Sequence, residues 1–235
     1  MQNNKKVFVL APILPDWNHV NLIEKVVNLL LGSEENILNI IDPLSCLEND
    51  AKIFYPWWLR KLEKEINNYD VFLGFSFGGV ILQQCFSLFE NINRKIILFS
   101  TPSFINFALY QKLNKIIQLI KLGLVEDALA LHDKWVFSPN AVPYQIKEPV
   151  SSAAVENIIS RVLHGLNLIL KTDSREKLKN TSIQYTHLIG EKSVLVNHQN
   201  VVVSTHGKLI IVPNAGMRVL QDNFPYCQQI LREIL

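Results

Sequence analysis

Glycine is scarce in this chain, nine in 235 residues. None of the nine forms G-x-G-x-x-G or G-x-x-x-x-G-K, so the backbone cradles that hold dinucleotides and nucleoside triphosphates have no counterpart. Cysteine is scarcer still. Cys46, Cys85 and Cys227 are odd in number, scattered and without metal-ligand spacing, which argues against a disulfide framework. No His-x-x-x-His, Cys-x-x-Cys or carboxylate cluster occurs, so no metal and no cofactor is expected. A dominant charge is missing too: 23 Lys and Arg against 21 Asp and Glu leave a net +2. No basic cluster alternates with aromatic residues, so nucleic acid is not an expected partner. No apolar run approaches the roughly 18 to 20 residues that span a bilayer, and membrane insertion is not expected. The opening "MQNNKKVFVLAPILPDW" joins two lysines to an apolar stretch, but Pro12 and Pro15 break it and no small-residue cleavage site follows. It reads as a first core strand, and a cytoplasmic location is expected.

What the chain does have is apolar material, 49% of residues against 19% charged, enough for one core with an insertion. Short runs rich in Val, Ile and Leu fall at 6–12, 36–42, 70–75, 95–100, 183–190 and 208–213. They are continuous rather than alternating, as in parallel strands buried on both faces. Helical patterns lie between them at 19–31, 52–67, 77–89, 196–205 and 220–235. The alternation predicts an α/β fold with a mostly parallel, doubly wound sheet of about six strands. The connection after the strand at 95–100 is the exception. It carries amphipathic segments at 106–121, 124–134 and 151–171, broken by "FSPNAVPYQIKEP". A structureless loop of that length is foreign to compact domains, so residues 103–182 are expected to form a helical lid on a core of 1–102 and 183–235.

Residues 74–79 read "GFSFGG", with a predicted strand before and a helix after. Small residues around a serine allow the sharp strand-to-helix turn that exposes a nucleophilic hydroxyl, here Ser76. The alternative is an ordinary glycine-rich turn. In the catalytic reading the N–H of Phe77 is half of an oxyanion hole, and the loop "APILPDW" supplies the other half through Ile13 or Leu14.

The stretches "FLGFSFGGVILQQ", "KIILFSTPSF", "GLNLILKTDSREKLKNTSIQYTHLIGEKSVLV" and "IIVPNAGMRVLQDNFPYCQQIL" resemble α/β-hydrolases, and among them the biotin-synthesis carboxylesterases that cleave pimeloyl-[acyl carrier protein] methyl ester. The resemblance spans both halves of the sheet and the return from the lid. It implies an α/β-hydrolase fold and a carboxylic ester substrate presented on an acyl carrier protein. It also implies an acid at the position of Ser193, after a late strand, and a histidine at the position of Met217, after the last strand. Serine cannot compensate an imidazolium and methionine accepts no proton near neutral pH, so the resemblance yields a degenerate triad.

Other residues could take over. His19 begins the helix after the oxyanion loop, on the sheet edge that carries Ser76, and is the expected substitute base, with a plain first-turn role as the alternative. His198 follows the late strand, and His132 and His164 ride on the lid. His187 within a strand and His206 near the opposite edge read as structural. Glu191 and Asp16 lie on loops at the correct edge, where exposed carboxylates are commonly just solvated. Residues 103–182 hold ten Lys and Arg against seven Asp and Glu, net +3, and the remaining thirteen against fourteen give −1. A mildly basic lid suits an acidic carrier protein, although solvated lysines on amphipathic helices give the same balance. Three functions stay open: a serine esterase or thioesterase acting on an acyl chain, a silent former hydrolase that binds an acyl ligand, a carrier protein or another protein, and a lyase or cyclase step that needs an oxyanion hole but no histidine, for which the sequence names no substrate.

Overall fold

A computed structural model of the chain describes residues 4–32, 36–141 and 152–235. Six strands form: β1 (Lys6–Leu10), β2 (Ile37–Ile41), β3 (Val71–Phe75), β4 (Lys95–Phe99), β5 (Tyr185–Gly190) and β6 (Gly207–Val212). All pair in parallel, in the order β2-β1-β3-β4-β5-β6. Side chains alternate across the sheet, so Val7 and Val9 enter one core while Phe8 and Leu10 enter the other. With both faces covered, the strands carry unbroken apolar runs. From β1 the chain steps outward to β2, and from β3 it steps the opposite way to β4. The loops leaving these two neighbours diverge, which opens a crevice at their C-terminal ends.

The helices divide between the two faces. On one side, α1 (Val20–Leu31), α8 (Val219–Asp222) and α9 (Phe224–Ile234) bring Val27, Leu30, Val219, Cys227 and Leu231 against Val7, Val9, Val71 and Leu73. On the other lie α2 (Ala51–Glu65), α3 (Phe77–Gln84) and the helices between β4 and β5. Those are α4 (Phe107–Lys121), α5 (Val125–Phe137), α6 (Ser152–Leu170) and a short α7 (Arg175–Lys179). Helix α4 buries Leu109, Leu113, Ile116, Ile117 and Ile120, one stripe at helical spacing. Local signals set the ends: Asp50 accepts from Lys52 N–H at the start of α2, and Gly32, at φ 67°, closes α1 with its N–H on Asn28 C=O. Cys227 faces the first of these cores and Cys85 the second, and burial pushes both thiols up to about 12.

The structure corrects three expectations. Residues 196–205 form no helix: Asn200 accepts from Asn197 N–H (3.0 Å) and donates to Leu195 C=O (2.8 Å), tying the chain into a tight turn. The predicted helix over 220–235 is two, because Asn223 leaves the helical region at φ −141° and caps α9, whose second residue is Pro225. The helix expected over 77–89 ends at Gln84 and continues as a 3-10 turn, Phe86–Phe89. The end of the expected break "FSPNAVPYQIKEP", residues 142–149, and the Glu34-Glu35 pair lie outside the described residues. Among the described residues no helix is long and apolar enough to cross a membrane, and no group of three His, Cys, Asp or Glu is placed to hold a metal.

Candidate active site

Ser76 stands between β3 and α3 at φ 48° and ψ −111°, a conformation that L residues avoid. Holding it costs on the order of 1–3 kcal/mol. Its neighbours fix it: Ser76 N–H donates to Phe99 C=O (2.9 Å) and Ser76 C=O accepts from Val80 N–H (3.1 Å). Phe75 stacks on Phe99 at 4.6 Å. The flanking glycines answer to close approach. A Cβ on Gly78 would overlap the carbonyl oxygens of Leu10 and Ala11, and one on Gly74 would sit 2.6 Å from Gly79 Cα. The turn is thus wedged against the end of β1, inside the crevice. Ser76 is half-buried, and among the described residues its hydroxyl has no hydrogen-bond partner.

Phe77 is the first residue of α3, so the helix offers its N–H no acceptor. The contact of Gly78 with Leu10 and Ala11 brings that N–H beside the loop leaving β1. Ile13 and Leu14, both half-buried, sit on this loop between Pro12 and Pro15. Helix α6 covers them. Arg161 Nε donates to Leu14 C=O (3.1 Å), while Nη1 and Nη2 donate to the Asp42 carboxylate at the end of β2 (2.8 and 3.0 Å). One turn further along α6, a Cβ on Gly165 would overlap the Ile13 side chain.

Ser193 and Met217 lie on neighbouring loops. A Cβ on Gly190 would overlap the carbonyl oxygens of Ala215 and Gly216, and Lys192 N–H donates to Ala215 C=O (2.8 Å). Ser193 is 6% exposed, and among the described residues its hydroxyl has no partner. Met217 is half-buried against the core beneath the insertion. Two contacts from the end of α5 close over this loop. The Ser138 carbonyl oxygen presses on Gly216, and Asn140 Nδ2 donates to Asp222 (2.8 Å). The buried Asp222 carboxylate also accepts Gly216 N–H (2.9 Å) and lies 3.8 Å from Arg218, whose guanidinium covers the Phe137 ring.

The histidines scatter. His19 ends a 3-10 turn, is exposed, and makes no side-chain cap bond to α1; no hydrogen bond joins it to Ser76. His198 is exposed, and His206 is exposed beside the N-terminal end of β6, away from the crevice. His132 Nδ1 lies 3.1 Å from Asp133 on α5. His164 Nε2 lies 3.1 Å from Glu48 C=O, and its ring meets the edge of Phe54, which stacks on Phe77 at 5.8 Å; burial pushes its pKa down. His187 is buried in β5 and accepts Thr101 N–H. Of the two loop carboxylates, Asp16 caps its own turn through Asn18 N–H (2.9 Å), and Glu191 accepts Asn214 N–H (2.9 Å). The structure therefore brings together Ser76, Phe77 and the Ile13–Leu14 loop, and it sets the loops that carry Ser193 and Met217 side by side. It leaves His19 without a hydrogen bond to Ser76. Arg161 and Asp42 escaped the sequence reading, although Arg161 is the one cation on a 19-residue apolar helix.

No family model matches the chain, and no curated protein sequence is significantly similar to it. Solved structures are. An α/β-hydrolase enzyme from a Medee basin deep-sea metagenome library superposes with a TM-score of 0.67 at 12% identity, over 100% of this chain and 90% of that one. An esterase from Exiguobacterium antarcticum gives 0.65 at 16%, over 98% and 92%. A carboxylesterase from Bacillus subtilis gives 0.59 at 12%, over 100% and 84%. With the six parallel strands and flanking helices, these likenesses establish that the chain has the α/β-hydrolase fold.

Proposed function

We propose that this protein is a serine-hydrolase-like protein of the carboxylesterase type acting on an acyl ester or thioester, with Ser76 as nucleophile and a degenerate triad. The observation that carries the reading is the Ser76 backbone at φ 48° and ψ −111°. A conformation of that cost persists only where its surroundings enforce it, and such strain clusters at functional sites. The acyl carbonyl is assigned to the space between Ser76 and the N–H groups of Phe77 and of Ile13 or Leu14, where developing negative charge would be held. Residues 103–182 act as a lid over this crevice. Its net +3 suits an acidic acyl carrier protein that presents the substrate, as in pimeloyl-[acyl carrier protein] methyl ester cleavage. Positions 193 and 217 take the places of acid and base, and His19 is assigned as the substitute base.

A second reading rests on two observations. Ser76 Oγ has no hydrogen-bond partner among the described residues, and Met217 packs where a base would stand. A protein so built binds an acyl ligand, a carrier protein or another protein without turning it over. Intact mass after exposure to a small fluorophosphonate separates the two. The proposal expects labelling of the wild type, none in Ser76→Ala, and a slowed reaction in His19→Ala. A wild type that stays unlabelled would select the binding reading.

A further inference from the structure

Residues 11–16 form the loop Ala-Pro-Ile-Leu-Pro-Asp. Pro12 and Pro15 have fixed φ, and each restricts the residue before it to extended conformations. Of the two residues with N–H groups to offer an oxyanion, Leu14 is therefore held extended by Pro15, and the freedom between the prolines is concentrated in Ile13. Both are held from α6. The Leu14 carbonyl accepts from Arg161 Nε, and Ile13 packs on Gly165. The guanidinium ties α6 to two loops at once because of its shape. Its two Nη atoms engage Asp42 end-on, which leaves Nε–H on the side of the fork for Leu14. A lysine ammonium has the charge but not the fork.

We infer that Arg161 is a positioning residue: by holding the Leu14 carbonyl, and with it the Leu14–Pro15 peptide, it fixes the backbone that carries the Ile13 and Leu14 N–H groups, so the oxyanion hole is complete only while α6 is seated on the β1 and β2 loops. Any outward movement of α6 that admits an acyl group withdraws the Nε contact and loosens the donors. Closure over the ligand restores them, so the insertion selects substrates that let it seat. This inference rests on the reading of Ser76 as nucleophile and of residues 13 and 14 as oxyanion donors.

The test uses the full chain as wild type, Arg161→Lys and Arg161→Met. Hydrogen exchange is followed in the segment 11–17 with β1 as control, and fluorophosphonate labelling is split into its binding constant and its maximal rate. Arg161→Lys keeps the charge opposite Asp42 and is expected to melt close to the wild type. Its loop is expected to exchange at least about tenfold faster, and its maximal labelling rate to fall at least about tenfold with the binding constant unchanged. Arg161→Met is expected to show the same losses together with a lower melting temperature. Wild-type exchange and labelling in Arg161→Lys would overturn the positioning role and leave Ser76 as nucleophile. If the wild type is not labelled at all, the nucleophile reading fails instead and exchange alone decides. Loosening confined to residues 11–17 then supports the clamp, and its absence refutes it.

Discussion

The ring of His187 is buried on β5, between β4 and β6, with Nε2 accepting Thr101 N–H at 3.2 Å. A ring that accepts there is neutral, and burial alone pushes its pKa down to about 3 from an ordinary 6.5. The folded pKa of this base is depressed, so below pH 6.5 the unfolded chain takes up a proton that the native chain refuses. The resulting stability loss is nil above that pH and grows by about 1.4 kcal/mol for each unit of acidification, until the pH nears 3. His187→Gln is expected to flatten the acid limb of the stability curve by about that slope, read from urea midpoints between about pH 6 and pH 4. An unchanged slope would mean that the ring protonates without unfolding. The same scale explains what sequence could reveal of the site. Ser76, its glycines and Phe77 are contiguous, so their spacing announces the turn. Arg161 and Asp42 are 119 residues apart, and nothing local marks them as partners.

Among the elements, the strands were the most legible, since burial on both faces writes an uninterrupted apolar run that needs no neighbour to be recognised. Helices failed where side chains bonded to their own backbone. The segment 196–205 is apolar enough to read as a helix, yet Asn200 at 1% exposure bonds Leu195 and Asn197, and Ser103 Oγ meets both polar groups of Val202. Asn200→Ala leaves those buried groups unpaired and is expected to destabilise the protein by about 1–3 kcal/mol, measured by urea unfolding. A change within a few tenths would show that the turn is held by other contacts. Helix α7, at five residues, is too short to write a periodicity of its own.

The whole molecule is a single sheet acting as a common wall between two unlike cores. One is broad, reaching from α2 through α3 into the insertion, and the other is confined to α1, α8 and α9. The order of strands put the crevice between β1 and β3. The chain order of apolar runs implied a doubly wound sheet, whereas the seating of the insertion depended on long-range contacts that no local pattern records. Cys85 lies in the broad core and Cys227 in the narrow one, each fully buried. With Cys46 also in the broad core, the protein thus carries silent chemical reporters on both sides of the wall, two on the broad side and one on the narrow. Blocked by a thiol reagent in mild urea and mapped by peptide mass, Cys227 is expected to react first, because the C-terminal helix α9 carries it and terminal layers open at lower cost. Equal rates would mean that both layers detach in one cooperative event. A Cys227 lead would instead date the release of α9 relative to the broad core that holds Cys85, the core on which α3 and the Ser76 turn are built.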